Sequence, residues 1–271
     1  MLLREVEYAR PSSVEEAIGL LAANEGARAL AGGQTIVNVM KARAASPDVL
    51  VDLNRLEELR SISVSGETLQ IGSMATYTQI MASSEVDVSR PILAEVAAQI
   101  ADVQVRNRGT IGGNICSNDP TNHLPPLLVA LGATMTIRGE GGERTVAADD
   151  FFLGVYMTAV GEGELLLSVS VPAAANAADG FASVTIGRDG TCIANAAACL
   201  AGDSVRIALG CVDAVPVLLA PTSSDEDSVR QAVEAAALEP PSDVHASSDY
   251  RRHLAGVCAA RAAQQARERG R

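Results

Sequence analysis

Residues 106–126 read RNRGTIGGNICSNDPTNHLPP. A buried strand does not tolerate so many polar side chains, because each needs a partner once water is excluded. A plain surface loop has no use for Gly112-Gly113 set between Ile111 and Ile115. The mixture implies backbone brought close to something polar. A second diglycine, Ala31-Gly32-Gly33-Gln34-Thr35, lies far upstream. Each segment sets small residues beside a hydroxyl and an amide. Glycine permits positive φ and lets a ligand approach the backbone N–H groups. Successive N–H groups in such turns form an anion-binding nest suited to a pyrophosphate. The first segment also leads into a short helix predicted over residues 35–43, whose start favours negative charge. Neither segment is a GxGxxG fingerprint, and Gly-Lys-Ser/Thr is absent, which excludes a Rossmann domain and a P-loop. Each diglycine alone also suits an ordinary tight turn. Together they point to a nucleotide-like ligand.

The flanking patterns supply a framework. Ser12 and Ser13 precede Glu15 and Glu16 by three residues each, a capping-box signature. Val14, Ala17, Ile18, Leu21 and Ala22 then share one helical face, so a helix is predicted over 12–23. ARAL and DVLVDL read as short strands, making the first 55 residues a small α/β unit. SISVSGETLQIGS alternates about a Ser65-Gly66-Glu67 turn and predicts a hairpin, and TMTIRGEGGERTVAA predicts a second. Helices are predicted near 76–83, 91–101 and 124–131, and LLLSVSVP is a strand closed by Pro172. PAAANAADG, residues 172–180, reads as a linker and places a domain boundary there. Beyond it, FASVTIG, CIANAAACLA and SVRIALGCV predict three antiparallel strands, followed by helices near 227–237 and 248–268.

Composition narrows the function classes. Hydrophobic residues make up 48% and charged residues 20%, a globular balance. Aromatics are 3%, so Ala, Val, Leu and Ile must fill the cores. The 21 basic and 33 acidic residues leave a net charge of −12, which repels phosphate backbones and disfavours nucleic acid. Arg106 and Arg108 are then local anchors, and Lys41 and Arg43 solvated cations. Cys116, Cys192, Cys199, Cys211 and Cys258 are odd in number, irregularly spaced and lack a CxxC pair, which suggests reduced, buried thiols and argues against zinc or an iron–sulfur cluster on this chain. No apolar h-region marks the N-terminus and no run of 18 apolar residues appears, so a cytoplasmic protein without a transmembrane helix is expected. No paired acids suggest acid–base catalysis.

The stretches RPSSVEEAIGLLA, ALAGGQTIVNVMKAR, LQIGSMATYTQI, RNRGTIGGNICSNDPTNHLPPLLVALGA, LLLSVSVP and RIALGCVDAVPVLL occur in an order similar to one family. Across roughly residues 5–220 the chain resembles the FAD-binding (medium) subunits of molybdenum hydroxylases, which include carbon monoxide dehydrogenase medium subunits and the flavin domain of xanthine dehydrogenase. The resemblance implies an α+β fold of the vanillyl-alcohol-oxidase (PCMH) type. Residues 1–175 would form the FAD-binding domain, with α/β subdomains 1–55 and 56–175, and residues 176–271 a C-terminal three-stranded antiparallel sheet with helices. It implies that Leu30, Ala31, Gly32, Gly33, Gln34, Thr35, Ile36 and Val37 line the pyrophosphate and adenosine side of FAD. Thr110, Ile111, Gly112, Gly113 and Asn114 would form a second backbone cradle. Ile71 would pack on the cofactor, Leu166 would lie near the flavin, and Asp119 and His123 would bond its polar spine.

The chain departs from the family's pattern in two places. His123 stands where many members have Asp in a D-P-x-x-D pattern, and a histidine cannot supply a fixed negative charge. It could equally close the local turn before Leu124-Pro125. Val184 stands where counting from Leu166 reaches a position that is Lys in some members. The implied function is electron transfer. FAD on this chain takes electrons from two 2Fe–2S clusters of a small subunit and passes them to a quinone, NAD⁺, O₂ or a carrier protein. A large subunit with a molybdenum cofactor hydroxylates the substrate, and the whole assembles as a dimer of heterotrimers. The alternatives are a stand-alone flavin oxidoreductase of the same fold, or a scaffold that has lost FAD.

Overall fold

The computed structural model describes residues 3–174, 178–187, 190–201, 204–219, 221 and 223–270. The chain opens with β1 (Glu7–Ala9), α1 (Val14–Ala23), β2 (Ala27–Leu30), α2 (Ile36–Lys41) and β3 (Val49–Asp52). Ser13 caps α1 by accepting from Glu16 N at 3.2 Å, and the Glu16 carboxylate accepts from Ser12 N at 2.7 Å. The buried face is Val14, Ala17, Ile18 and Leu21, as the periodicity predicts. These residues cover a three-stranded parallel sheet in the order β1-β3-β2. Strand β1 was not anticipated. At three residues with mostly exposed side chains, it carries too little hydrophobic pattern to be read.

Next come β4 (Ile62–Ser65), β5 (Thr68–Gly72) and six short helices: α3 (Tyr77–Ala82), α4 (Ser84–Ser89), α5 (Ile92–Ala97), α6 (Val103–Arg108), α7 (Ile111–Ser117) and α8 (Leu124–Ala130). The segment continues through β6 (Thr134–Gly139), β7 (Gly142–Ala147), α9 (Ala148–Phe151), β8 (Phe152–Gly154), β9 (Met157–Thr158) and β10 (Leu165–Pro172). Both predicted hairpins form, and β10 pairs between them to give the antiparallel order β4-β5-β10-β6-β7. The main core lies between this sheet and the helices, around Leu69, Ile71, Ile111, Leu127, Met135 and Val169.

The C-terminal part holds β11 (Ala178–Thr185), β12 (Cys192–Ala201), β13 (Ser204–Gly210), β14 (Val217–Leu219), α10 (Glu226–Ala235) and α11 (Ser248–Arg269). Its sheet has four strands, β11-β12-β13-β14, and not three. The sequence reading missed β14, which spans only three residues after an irregular turn. The predicted linker is also shorter than expected. Residues 175–177 lie outside the described residues, and Asp179 and Gly180 already belong to β11. Small side chains make the packing possible: an added Cβ on Gly180 would lie 2.0 Å from the Ala262 carbonyl of α11, so helix and sheet meet almost backbone to backbone. Ala255, Ala259, Ala262, Ala263 and Ala266 are fully buried on that face, the alanine-filled core that an aromatic-poor composition requires.

Among the contacts that tie this sheet to the preceding helices, two lie at the end of α4 and the start of α8. Arg90 and Asp179, both buried, approach at 2.8 Å (Nε to Oδ2), while Arg90 also donates to the Pro172 carbonyl at 3.1 Å and to Cys199 Sγ at 3.0 Å. The His123 ring lies 5.5 Å from that of Phe181. None of the five cysteines is cross-linked, and four are buried. Among the described residues no helix is long and apolar enough to cross a membrane.

Candidate functional site

The two diglycine segments meet in space, and glycine is what lets them. An added Cβ on Gly32 would fall 2.1 Å from the Arg108 carbonyl, just before the second segment. One on Gly113 would stand 3.7 Å from Ala31 Cβ, and one on Gly112 would fall 2.6 Å from the Ser73 carbonyl. Only Gly33, at φ +74°, uses glycine's conformational freedom.

The segments differ in kind. Leu30–Thr35 leaves β2 as a turn, but Thr110–Asn114 is not a loop. Thr110 is the N-cap of α7, and Ile111 to Asn114 form its first turn. The expected second nest therefore has its donors in use. Ile111 N donates to Ala75 O at 3.0 Å, Gly112 N to Ser73 O at 2.9 Å, Gly113 N to Thr110 Oγ1 at 3.0 Å, and Asn114 N to Thr110 O at 3.0 Å. Gly112 and Gly113 thus serve close packing of α7 on Ser73 and Ala31.

The first segment has the opposite polarity. Ala31 O accepts from Asn54 Nδ2 at 3.0 Å, Gly32 O from Gln34 Nε2 at 3.2 Å and Gln34 O from Asn38 Nδ2 at 2.7 Å. Gly33 O accepts from Val37 N at 3.3 Å and Thr35 O from Val39 N at 3.0 Å. Every carbonyl from 31 to 35 is thus occupied. Among the described residues, none of the N–H groups of Gly32, Gly33, Gln34, Thr35 and Ile36 donates a hydrogen bond. In a trans peptide the C=O and N–H point in opposite directions, so each of these amides points away from the group that its own peptide carbonyl bonds. Leu30, Ile36 and Val37 around this turn are half-buried, and Thr35 is exposed.

Two further polar atoms lie at the meeting point. Ser73 Oγ and Asn114 Oδ1 are buried with no partner among the described residues. Burial pushes the Tyr77 phenol well above its usual range, against an opposing hydrogen bond with Asn114, so Tyr77 stays neutral. Ser73, Asn38, Asn54 and Tyr77 were not anticipated as site residues. Asn38 alone had a local signal, standing four residues after Gln34 on a predicted helix.

The remaining expected residues lie elsewhere. Ile71 is 0% and Leu166 3% exposed, both within the main core. Both lie in strands of the sheet next to Ser73. Asp119 follows α7, whose seven residues span roughly 10 Å. Its Oδ1 accepts from Thr121 N at 2.9 Å and from Thr121 Oγ1 at 2.8 Å, and Oδ2 from the Tyr156 hydroxyl at 3.3 Å. It also lines a small cleft with Pro120, Pro126, Cys211 and Asp213. His123 is buried against Phe181, its Nε2 has no partner among the described residues, and desolvation lowers its pKa to about 4. It is neutral near pH 7. Val184 packs, partly buried, against the C-terminal core; its neighbour Ser183, on the opposite face of β11, hydrogen bonds Gln99 at 3.4 Å. Arg106 donates to the carbonyls of Ile100 and Ala101, the local anchoring expected of it. Lys41 is exposed.

Known proteins are similar to this chain along almost its whole length. Residues 4–174 match the family described as FAD binding domain in molybdopterin dehydrogenase. The carbon monoxide dehydrogenase medium chain of Hydrogenophaga pseudoflava is 38% identical over 286 aligned positions, covering 97% of both chains. The structure of carbon monoxide dehydrogenase from that organism superposes with a TM-score of 0.94 at 37% identity, covering 99% of both chains. Quinoline 2-oxidoreductase from Pseudomonas putida 86 superposes with a TM-score of 0.93 at 34% identity, covering 100% of both chains. A loop of unbonded amides packed against a helix with Gly112-Gly113 in its first turn, in a chain matched along almost its whole length, places this protein in the family of FAD-binding subunits of molybdopterin-dependent dehydrogenases.

Proposed function

We propose that this chain carries FAD in a molybdenum hydroxylase of the carbon monoxide dehydrogenase and xanthine dehydrogenase type. It accepts electrons from the 2Fe–2S clusters of a small subunit and passes them to an external acceptor. A large molybdopterin-binding subunit hydroxylates the substrate. The assembly is a cytoplasmic dimer of heterotrimers, and the chain divides near residue 175 into the FAD-binding domain and the C-terminal domain. One observation carries the cofactor assignment: the Gly32–Ile36 amides are open while every carbonyl from Ala31 to Thr35 is occupied.

In this assignment the Gly32–Ile36 amides hold the pyrophosphate, a fit to its several acceptor oxygens. Leu30, Ile36 and Val37 supply apolar surface beside them. Gly113, packed on Ala31, keeps α7 against the loop and so fixes the width of the site. Bound there, FAD supplies the redox chemistry, and the protein supplies binding and orientation. A stand-alone oxidoreductase would need a titratable group free to act beside the flavin. The nearest buried carboxylate, Asp52, is instead committed to Tyr8 and Asn54. Carbon monoxide dehydrogenase and quinoline 2-oxidoreductase differ in substrate yet match this chain about equally, which supports placing substrate choice outside it.

The test is an absorbance spectrum of the purified full chain, with the released cofactor identified by mass. Stoichiometric FAD is expected. A colourless protein that also takes up no added FAD would overturn the assignment and favour the scaffold alternative.

A further inference from the structure

We propose that Asn54 is a positioning residue for the FAD cradle, and that with Arg60 it couples the cradle to the start of α7. The inference rests on the FAD assignment above. Asn54 touches neither the Gly32–Ile36 amides nor any atom assigned to the ligand. It acts on the far side of one peptide plane.

Asp52 is the last residue of β3 and pairs with Leu30, the last residue of β2. A 3-10 turn over Leu53–Arg55 follows, capped by Asp52, whose Oδ1 accepts from Asn54 N at 2.9 Å. This sets Asn54 beside the point where the cradle leaves β2. Its Nδ2 donates to Asp52 Oδ1 at 2.6 Å and to Ala31 O at 3.0 Å. Its Oδ1 accepts from Arg60 Nη2 at 3.2 Å. A guanidinium only donates, and a carbonyl or carboxylate only accepts. The Asn54 amide thus has a single satisfied orientation, and its flip is determined by its partners. Burial raises the Asp52 carboxyl pKa, but hydrogen bonds from Tyr8 and Asn54, together with Arg10, outweigh this and hold it below the usual range. The acceptor that fixes Asn54 therefore stays charged at neutral pH.

Arg60 extends the connection. Its Nη2 also donates to Asn54 O at 3.3 Å, and its Nη1 to Met74 O at 3.2 Å. Met74 stands between Ser73 and Ala75, whose carbonyls accept from Gly112 N and Ile111 N. A continuous polar chain thus joins the Ala31 carbonyl to the first turn of α7. Fixing the Ala31 carbonyl toward Asn54 turns the Gly32 N–H the other way, toward the ligand side. Without that bond, the peptide between Ala31 and Gly32 is free to rotate, and only a fraction of molecules presents the amide correctly. Apparent affinity falls by that fraction.

The experiment compares the full wild-type chain, stripped of flavin, with Asn54→Ala and Arg60→Gln. The probes are FAD and ADP, the latter carrying pyrophosphate and adenosine without the flavin. Affinities are measured by titration calorimetry, and amide hydrogen exchange is followed without ligand. The expected result is a loss of about tenfold or more in affinity for both probes. Faster exchange should be confined to the hydrogen-bonded amides of Val37, Val39 and residues 111–114, with the melting temperature nearly unchanged. A purely structural role would lower the melting temperature and leave the affinity of the folded protein intact. Wild-type affinity in both variants, or unchanged exchange at Val37 and Val39, overturns the proposal. If the wild-type chain binds neither probe, the FAD assignment fails first, and the exchange data still decide whether the brace orders the loop. Should Asn54→Ala fail to fold, Arg60→Gln breaks the same connection one link away and supplies both readouts.

Discussion

Gly32, Gly33 and Gly112 look interchangeable in sequence, yet each is glycine for a different reason. Alanine at Gly32 or Gly112 would place Cβ 2.1 Å or 2.6 Å from a backbone carbonyl that cannot move alone. Each substitution is expected to cost about 2 kcal/mol or more and to separate the cradle from α7. At Gly33 the nearest atoms are side-chain carbons 3.5 Å away, and only the φ of +74° opposes a side chain. There the cost should be about 1 kcal/mol. Chemical denaturation of the three variants, with flavin content measured alongside, tests that ranking. His123 supplies a pH dependence. Its pKa in the folded chain, about 4, lies below the unfolded value, so the folded state disfavours the proton. Its contribution is intact above pH ~6.5 and is lost as pH falls toward 4, at about 2 kcal/mol between pH 7 and 5. Replacement by Gln should remove that part of the acid sensitivity in urea titrations at the two pH values.

At the scale of elements, α7 is held by its cap. Thr110 is buried and its Oγ1 accepts from Gly113 N. Thr110→Ala should cost about 1 kcal/mol and Thr110→Ser almost nothing, as thermal melts of both variants would show. The same helix shows where sequence reading succeeds and where it stops. Helix α1, the hairpins of β4–β5 and β6–β7, and helix α11 were legible because their hydrophobic periods and caps are local. Helix α7 was not, because paired glycines have poor helix propensity and the packing against Ser73 that overrides it comes from another segment. The cradle at Gly32-Gly33 was legible as backbone suited to an anion. Its polarity was not, because the decisive partner of the Ala31 carbonyl lies 23 residues away. Ile71 and Leu166 were carried to the site by resemblance alone, because a buried apolar residue in a strand reads as core whether or not a ligand lies beside it.

At the scale of the whole molecule, a buried ion pair joins the C-terminal sheet to the turn between α4 and α5. Arg90 and Asp179 are 4% and 1% exposed, and the guanidinium also serves Pro172 and Cys199. Removing one partner strands a buried charge. Arg90→Met is expected to cost about 3–5 kcal/mol and to make unfolding biphasic, the C-terminal sheet and α11 separating before the rest. Urea titration followed by amide exchange resolves the two steps. The C-terminal sheet thereby shares the fate of the sheet beneath the cradle, although no expected cofactor residue lies on it.

The occupied carbonyls of residues 31–35 bear on how such a subunit is made. A turn whose carbonyls are all held within the folded chain has little left to order when a ligand arrives, so the entropy of arranging it is spent during folding and not during loading. Biogenesis can then run in two separable stages, a polypeptide that reaches its final shape unaided and a flavin inserted afterwards. A cell starved of riboflavin would accumulate an intact reserve of empty subunits, ready to be charged when the vitamin returns.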